Sequence, residues 1–232
     1  MKKTVLLSLS IILATFTFAQ LKAPGVKWDE SYSFDQYNAF QIEFYAKNNE
    51  LMRTQKIKTF YQTNGENFAV QFISEMKGGG VKTILDKKNE VAIQIFGEGG
   101  GAKPFYNAGG YKYPEVADLK KLEIVPTSES KDILGYPCRK YTYTYKKIFG
   151  EVWITDQVKM PNDLGVFRAA KMAALHNTLS VEGFVMEMTT EDAKGGKTLM
   201  KTVSLKNQEN NTFDLKGVEI STAINKVNYF TF

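Results

Sequence analysis

Apolar and polar side chains change places at nearly every residue along FQIEFYAK (40–47), QKIKTFYQT (55–63) and ENFAVQFISEM (66–76). This is the period of an extended strand with one face on a core, because successive side chains of a strand point to opposite faces. In the second segment Ile57, Thr59 and Tyr61 oppose Lys56, Lys58 and Phe60, and in the third Phe68, Val70 and Phe72 share a face. VKTIL (81–85) and EVAIQIF (90–96) follow, and TNGEN, KGGG and DKKN between them are rich in turn formers. The pattern predicts a meander of antiparallel hairpins. Strands resume at KLEIVPTSES (121–130), CRKYTYTYKK (138–147) and GEVWITD (150–156), the last two joined by a turn at about 147–150. GFVMEMTTED (183–192) and KTLMKTVSLKNQE (197–209) form another hairpin around AKGG, and the tail GVEISTAINKVNYFTF (217–232) ends in one more strand.

Two segments break the period. GEGGGAKPFYNAGGYKYP (97–114) holds so many glycines, with two prolines, that it is expected to be a loop. A loop of that length inside a domain commonly has a functional role. PNDLGVFRAAKMAALHNTL (161–179) places Leu164, Phe167, Ala174, Leu175 and Thr178 near one helical face. Pro161, Asn162 and Asp163 supply start signals, so a helix is predicted there. The fold class is therefore mainly β, in a single domain.

The N-terminus changes the picture of where that domain works. Lys2 and Lys3 precede an uncharged apolar stretch, Val5 to Phe18, and Thr17-Phe18-Ala19 sets small residues at both recognition positions before Gln20. This is the pattern of a secretory signal peptide, residues 1–19, cleaved after Ala19. The apolar run is shorter than the roughly 20 residues a spanning helix needs, so no membrane span is expected after cleavage. Residues 20–232 then form the mature β-rich domain, long enough to bury a core without staples. Cys138 is the single cysteine, so an intramolecular disulfide is impossible. The formal charge of +5 falls to +3 without Lys2 and Lys3, and the remaining lysines are scattered, so no nucleic-acid partner is expected.

Candidate chemistry fails on context. GEGGGA (97–102) matches G-x-G-x-x-A, but Lys103-Pro104 follows where a helix must begin to hold a pyrophosphate. GGKT (195–198) resembles the end of a P-loop, but Glu191 stands where the first glycine belongs. His176, the only histidine, falls at the end of the predicted helix, where it suits the last carbonyls better than a catalytic triad. One histidine and one cysteine cannot build a usual zinc site, and no D-x-D-x-D-G calcium loop is present. Asp and Glu are plentiful, yet no pair is singled out for glycosidase chemistry. The expectation is a protein that is no enzyme, with no cofactor and no metal. The ending YFTF suggests an outer-membrane barrel, but too few strands alternate cleanly for one.

CRKYTYTYKK sets Arg139, Tyr141, Tyr143, Tyr145 and Lys147 on one face and Cys138, Lys140, Thr142, Thr144 and Lys146 on the other. In the returning strand Val152 and Ile154 alternate with Trp153 and Thr155. The aromatic side either packs into a core or lines a cavity open to a ligand. ILGYPC leading into RKYTYTY, then EVWITD, a helix and GFVMEMTTED resembles a secreted bacterial family called domain of unknown function 4412. More distantly it resembles the periplasmic lipoprotein carriers LolA and LolB, with most of the mature chain on the same plan. The resemblance implies a strongly curved antiparallel sheet, an unclosed LolA-like half-barrel covered by one or two helices. It implies a periplasmic or secreted protein of the bacterial envelope. The implied partner is a lipid or lipoprotein acyl chain held in an apolar cavity. The candidate lining residues are Tyr141, Tyr143, Tyr145 and Trp153, with Phe167 and Leu175 on the covering helix. The alternative is an envelope interaction or stress-related protein whose sheet is filled by its own side chains.

Overall fold

The computed structural model describes residues 25–73, 80–98, 103–111, 120–159 and 181–222. The expected signal peptide, the predicted helix with Phe167, Leu175 and His176, and the last strand of the tail lie outside these residues. The chain from β1 (Ser31–Tyr45) runs through β2 (Leu51–Tyr61), β3 (Phe68–Ile73), β4 (Val81–Asp86), β5 (Val91–Phe96) and β6 (Phe105–Gly110). It continues with β7 (Leu122–Ile133), β8 (Tyr136–Tyr145), β9 (Ile148–Thr155), β10 (Phe184–Asp192), β11 (Lys197–Asp214) and β12 (Ile220–Ser221). All twelve join one sheet in the order β12-β6-β5-β4-β3-β2-β1-β11-β10-β9-β8-β7. Every pairing is antiparallel except the short parallel contact of β12 with β6.

The mainly antiparallel architecture is thus as expected, but the strong curvature is not. The sheet is open and not strongly curled. Curl needs bulges stepped through consecutive strands. Here the β2-to-β6 meander runs without a register shift, and the shifts fall in the ladders of β1 and in β9–β10 and β7–β8. No helix occurs among the described residues.

Two boundaries also differ from expectation. Part of the glycine-rich segment, Phe105–Gly110, is strand β6, with Gly109 opposite Ala92 and Ala108 opposite Ile93. Its composition argues for a loop, but β5 offers a full row of backbone partners, and ladder bonds do not depend on side chains. The β8–β9 turn is the two-residue Lys146-Lys147, with Lys146 at φ 57°, so Ile148, Phe149 and Gly150 belong to β9.

Hydrophobic burial falls into two clusters. Phe40, Ile42, Ile57, Tyr61, Phe68 and Leu85 belong to one, which extends across Met200, Met188 and Val152 to Tyr143. Phe60, Ala69, Ile84 and Ile93 belong to the other, together with Tyr32 and Phe34. Neighbouring residues such as Phe60 and Tyr61, or Ile84 and Leu85, divide between them, as period two requires. Both faces are therefore buried along the last residues of β2 and in the facing parts of β3 to β5, which is why FAV and VAI read as unbroken apolar runs. In the second cluster the rings of Phe34, Phe60 and Phe213 meet, Phe213 edge-on to both others at 5.5 and 5.7 Å. A register shift between Phe34 and Gln36 accompanies the change of face along β1. Beyond it the Tyr32 hydroxyl donates to Asp86 Oδ2 at 2.7 Å.

Candidate functional site

The hairpin of β8 and β9 holds the aromatic residues that the pattern singled out, and its register fixes their faces. Tyr141 stands opposite Val152, Tyr143 opposite Gly150 and Tyr145 opposite Ile148. The row through Tyr141 continues without a break: Val152 faces Met188, Met188 faces Met200, and Met200 faces Ile42. Five apolar side chains from β8, β9, β10, β11 and β1 thus lie side by side on one face of the sheet, close enough to pack as cross-strand pairs.

The three tyrosines differ in what they do there. Tyr141 is half-buried and borders a cleft of about 840 Å³ that Pro137, Arg139, Ile154 and Val158 also line. Tyr143 is 2% exposed. Its hydroxyl donates to the carbonyl oxygen of Thr189 at 2.8 Å and lies 2.7 Å from Thr190 Oγ1. Burial pushes the Tyr143 phenol up to about 12. Gly150 makes this reach possible. A Cβ there would stand 1.9 Å from the Thr189 carbonyl oxygen and 3.1 Å from the Tyr143 hydroxyl. Tyr145 is buried near the turn, with the Lys146 ammonium 4.8 Å from its ring centre.

Trp153 stands on the opposite face, paired with Lys140, so it does not share one cavity wall with the tyrosines. Its ring is 9% exposed beneath the Lys131 ammonium at 4.2 Å and that of Lys140 at 5.8 Å. Lys131 pairs with Glu187 at 2.8 Å, and Lys140 with Glu151 at 2.9 Å and Glu129 at 3.0 Å. The Glu151 and Glu129 carboxylates hold the Lys140 ammonium above its usual range. The lysine stems cover the indole while their charges stay at the surface. The threonine–lysine face is thus a charged lattice laid over one tryptophan. Cys138, on this face, is buried; its thiol donates to the Tyr136 carbonyl oxygen at 3.3 Å, and burial pushes it up.

Of the arginines, Arg139 lines the cleft, Arg53 lies 4.3 Å over the Phe44 ring, and Arg168 is outside the described residues. Sequence parity had put Arg139 on the tyrosine face, but Ile154 and Val158 as cleft residues come only from the assembled fold. No group of three His, Cys, Asp or Glu placed to hold a metal occurs among the described residues. Among the described residues there is no helix long and apolar enough to cross a membrane.

No family model matches the chain, and no curated protein matches it. Among solved structures it is similar to PNGF-II in its C2 crystal form, at 18% identity and a TM-score of 0.38, over 81% of this chain and 31% of that one. The P21 form of PNGF-II gives 18% identity and a TM-score of 0.36, over 75% of this chain and 29% of that one. The chain thus spans less than a third of the protein it resembles, and the assignment of the site rests on its own geometry.

Proposed function

We propose that the protein is a non-enzymatic secreted or periplasmic protein that binds a hydrophobic ligand, a lipid or acyl chain, on the tyrosine-bearing side of its sheet. The observation that carries this reading is the apolar row Tyr141, Val152, Met188, Met200 and Ile42, whose Tyr141 end borders the cleft of about 840 Å³. That volume is in the range of small-ligand sites, roughly 300–1,000 Å³. An acyl chain needs only an apolar wall, which Tyr141, Ile154 and Val158 supply, while Arg139 and Lys159, with Asp156 and Glu182 at the same cleft, suit a polar head group. Native mass spectrometry of protein purified from its own envelope is the direct test: extra mass is expected, lost on organic extraction. Titration with a fluorescent fatty acid should show binding that Tyr141→Ala weakens. Protein that carries no extra mass and binds no such probe sinks the proposal.

A second reading is favoured by the packing of Tyr143, which fills its space and spends its hydroxyl on β10. On that reading the sheet is a filled core and the protein an envelope interaction or stress-related component. Tyr143→Ala then costs about 3–5 kcal/mol, as truncation of large aromatics does, and probe binding is absent. Probe binding that Tyr141→Ala weakens rejects this second reading.

A further inference from the structure

Three turns lie at one end of the sheet: 46–50 between β1 and β2, 193–196 between β10 and β11, and Lys146-Lys147 between β8 and β9. The strands that carry them, in the order β2-β1-β11-β10-β9-β8, are consecutive, so the turns line an edge about 24 Å long at ordinary strand spacing. The first two are close neighbours: a Cβ on Gly195 would meet the Lys47 side chain at 3.0 Å. At this end Leu51 is 51% exposed, Met52 70% and Phe149 45%. These are three of the seven large exposed apolar side chains among the described residues, and all three lie at this end of the sheet. Lys47, Lys146, Lys147 and Lys194 are exposed in the turns themselves. Two acids of the same edge are engaged locally: Glu50 accepts from Asn48, and Asp192 accepts from the backbone N–H groups of Lys194 and Gly196. Glu191 is the ladder neighbour of Lys197.

We infer that this edge docks on an anionic lipid bilayer. Leu51, Met52 and Phe149 would enter the head-group boundary and the four lysines would pair with lipid phosphates. Leu51 and Met52 begin β2 and Phe149 lies near the start of β9, so the strand ladders hold these apolar side chains out beside the turns, where a bilayer can take them up. Lysines beside them supply the charge complementarity that a single set of apolar contacts lacks. The inference goes beyond the ligand-binding proposal and does not rest on it, since none of these residues borders the Tyr141 cleft.

The test is flotation of the purified protein with vesicles of phosphatidylcholine alone and of phosphatidylcholine with phosphatidylglycerol. Recovery is expected with the anionic vesicles at low salt, falling as salt screens the lysines. Lys146→Gln with Lys147→Gln should weaken binding about 25-fold, about fivefold for each lysine near the surface. Met52→Ser should weaken it as well, and Met52→Trp should show a blue-shifted emission on binding. Leu134→Ser, at the β7–β8 turn of the opposite end, and Tyr141→Ala should float like the wild type. Because the altered side chains are exposed, unchanged thermal midpoints are expected throughout. Equal recovery with and without phosphatidylglycerol, or tip variants that float like the wild type, overturns the inference. So does a wild-type dimer that Met52→Ser makes monomeric in the absence of any flotation, which would assign the patch to self-association.

Discussion

Tyr143 shows how one side chain ties three strands together. It grows from β8, passes over the bare backbone of Gly150 in β9 and hydrogen-bonds in β10. Its buried phenol holds the proton more tightly than an unfolded tyrosine does, at about 12 against the usual 10. The resulting stability is complete below the unfolded value and is lost as pH rises from about 10 through 12. Tyr32 acts in the same direction: burial first, then its hydrogen bond to Asp86, raise its phenol further still. Urea melts between pH 9 and 12 should therefore show an alkaline fall in stability. Tyr143→Phe should make that fall shallower without abolishing it, and at neutral pH it should cost about 1–2 kcal/mol for the Thr189 carbonyl left unpaired. A fall identical in the variant would mean that Tyr143 ionises freely in the fold. Cys138 belongs to the same scale. At 1% exposure, with burial pushing its thiol up, it should react with a disulfide reagent only at the rate of unfolding. Rapid labelling of native protein would contradict its placement.

The ladders set the tolerance of each element to change. At Gly150 an added methyl would collide with the Thr189 carbonyl oxygen at 1.9 Å, and that oxygen belongs to the neighbouring strand's backbone and cannot rotate away. Gly150→Ala should cost about 1–3 kcal/mol, as overpacking does, read as a shift in the chemical-denaturation midpoint. The first apolar face also contains a polar patch. Gln36, Asn38 and Thr202 are buried, and Asn38 accepts from Thr59. Gln36 Oε1, Asn38 Nδ2 and Thr202 Oγ1 find no partner among the described residues. A buried hydroxyl without a partner pays its desolvation for nothing. Thr202→Val should therefore stabilise the fold by about 1 kcal/mol, and a loss of that size would show the hydroxyl bound to an ordered water.

At the scale of the molecule the open sheet has two ends to protect, and it protects them differently. One end is closed by β12, only Ile220 and Ser221, set parallel against β6. The other is β7, whose solvent side is mostly polar and which carries Pro126 and a register shift between Pro126 and Ser130. Proline withholds a ladder donor, the shift breaks the row of free groups, and charges discourage a partner strand. Pro126→Val with Ser128→Val should restore a flat, apolar edge. Faster growth of light scattering on heating, with little change in the midpoint, is the expected result. Scattering equal to that of the wild type would show that the edge is protected by something other than β7.

Period-two alternation by itself determined where most strands lie and which side chains share a face. The parity of Tyr141, Tyr143 and Tyr145 against Cys138 and Lys140 was legible in CRKYTYTYKK, because facing is a property of the local backbone. The fate of each face was not local. Which tyrosine would be packed and which left on a cleft depended on β10, some 46 residues beyond Tyr143, bringing Thr189 within reach. Trp153 invited grouping with the tyrosines as an aromatic, and its shelter came instead from Lys131 and Lys140 on neighbouring strands. Strand β6 was hidden in a glycine-rich segment because its order comes from the hydrogen-bonding row of β5 rather than from its own side chains. The central place of β1 between β2 and β11 is a long-range pairing. The tertiary structure alone decides it, since an alternating strand is compatible with any partner whose register buries the same face.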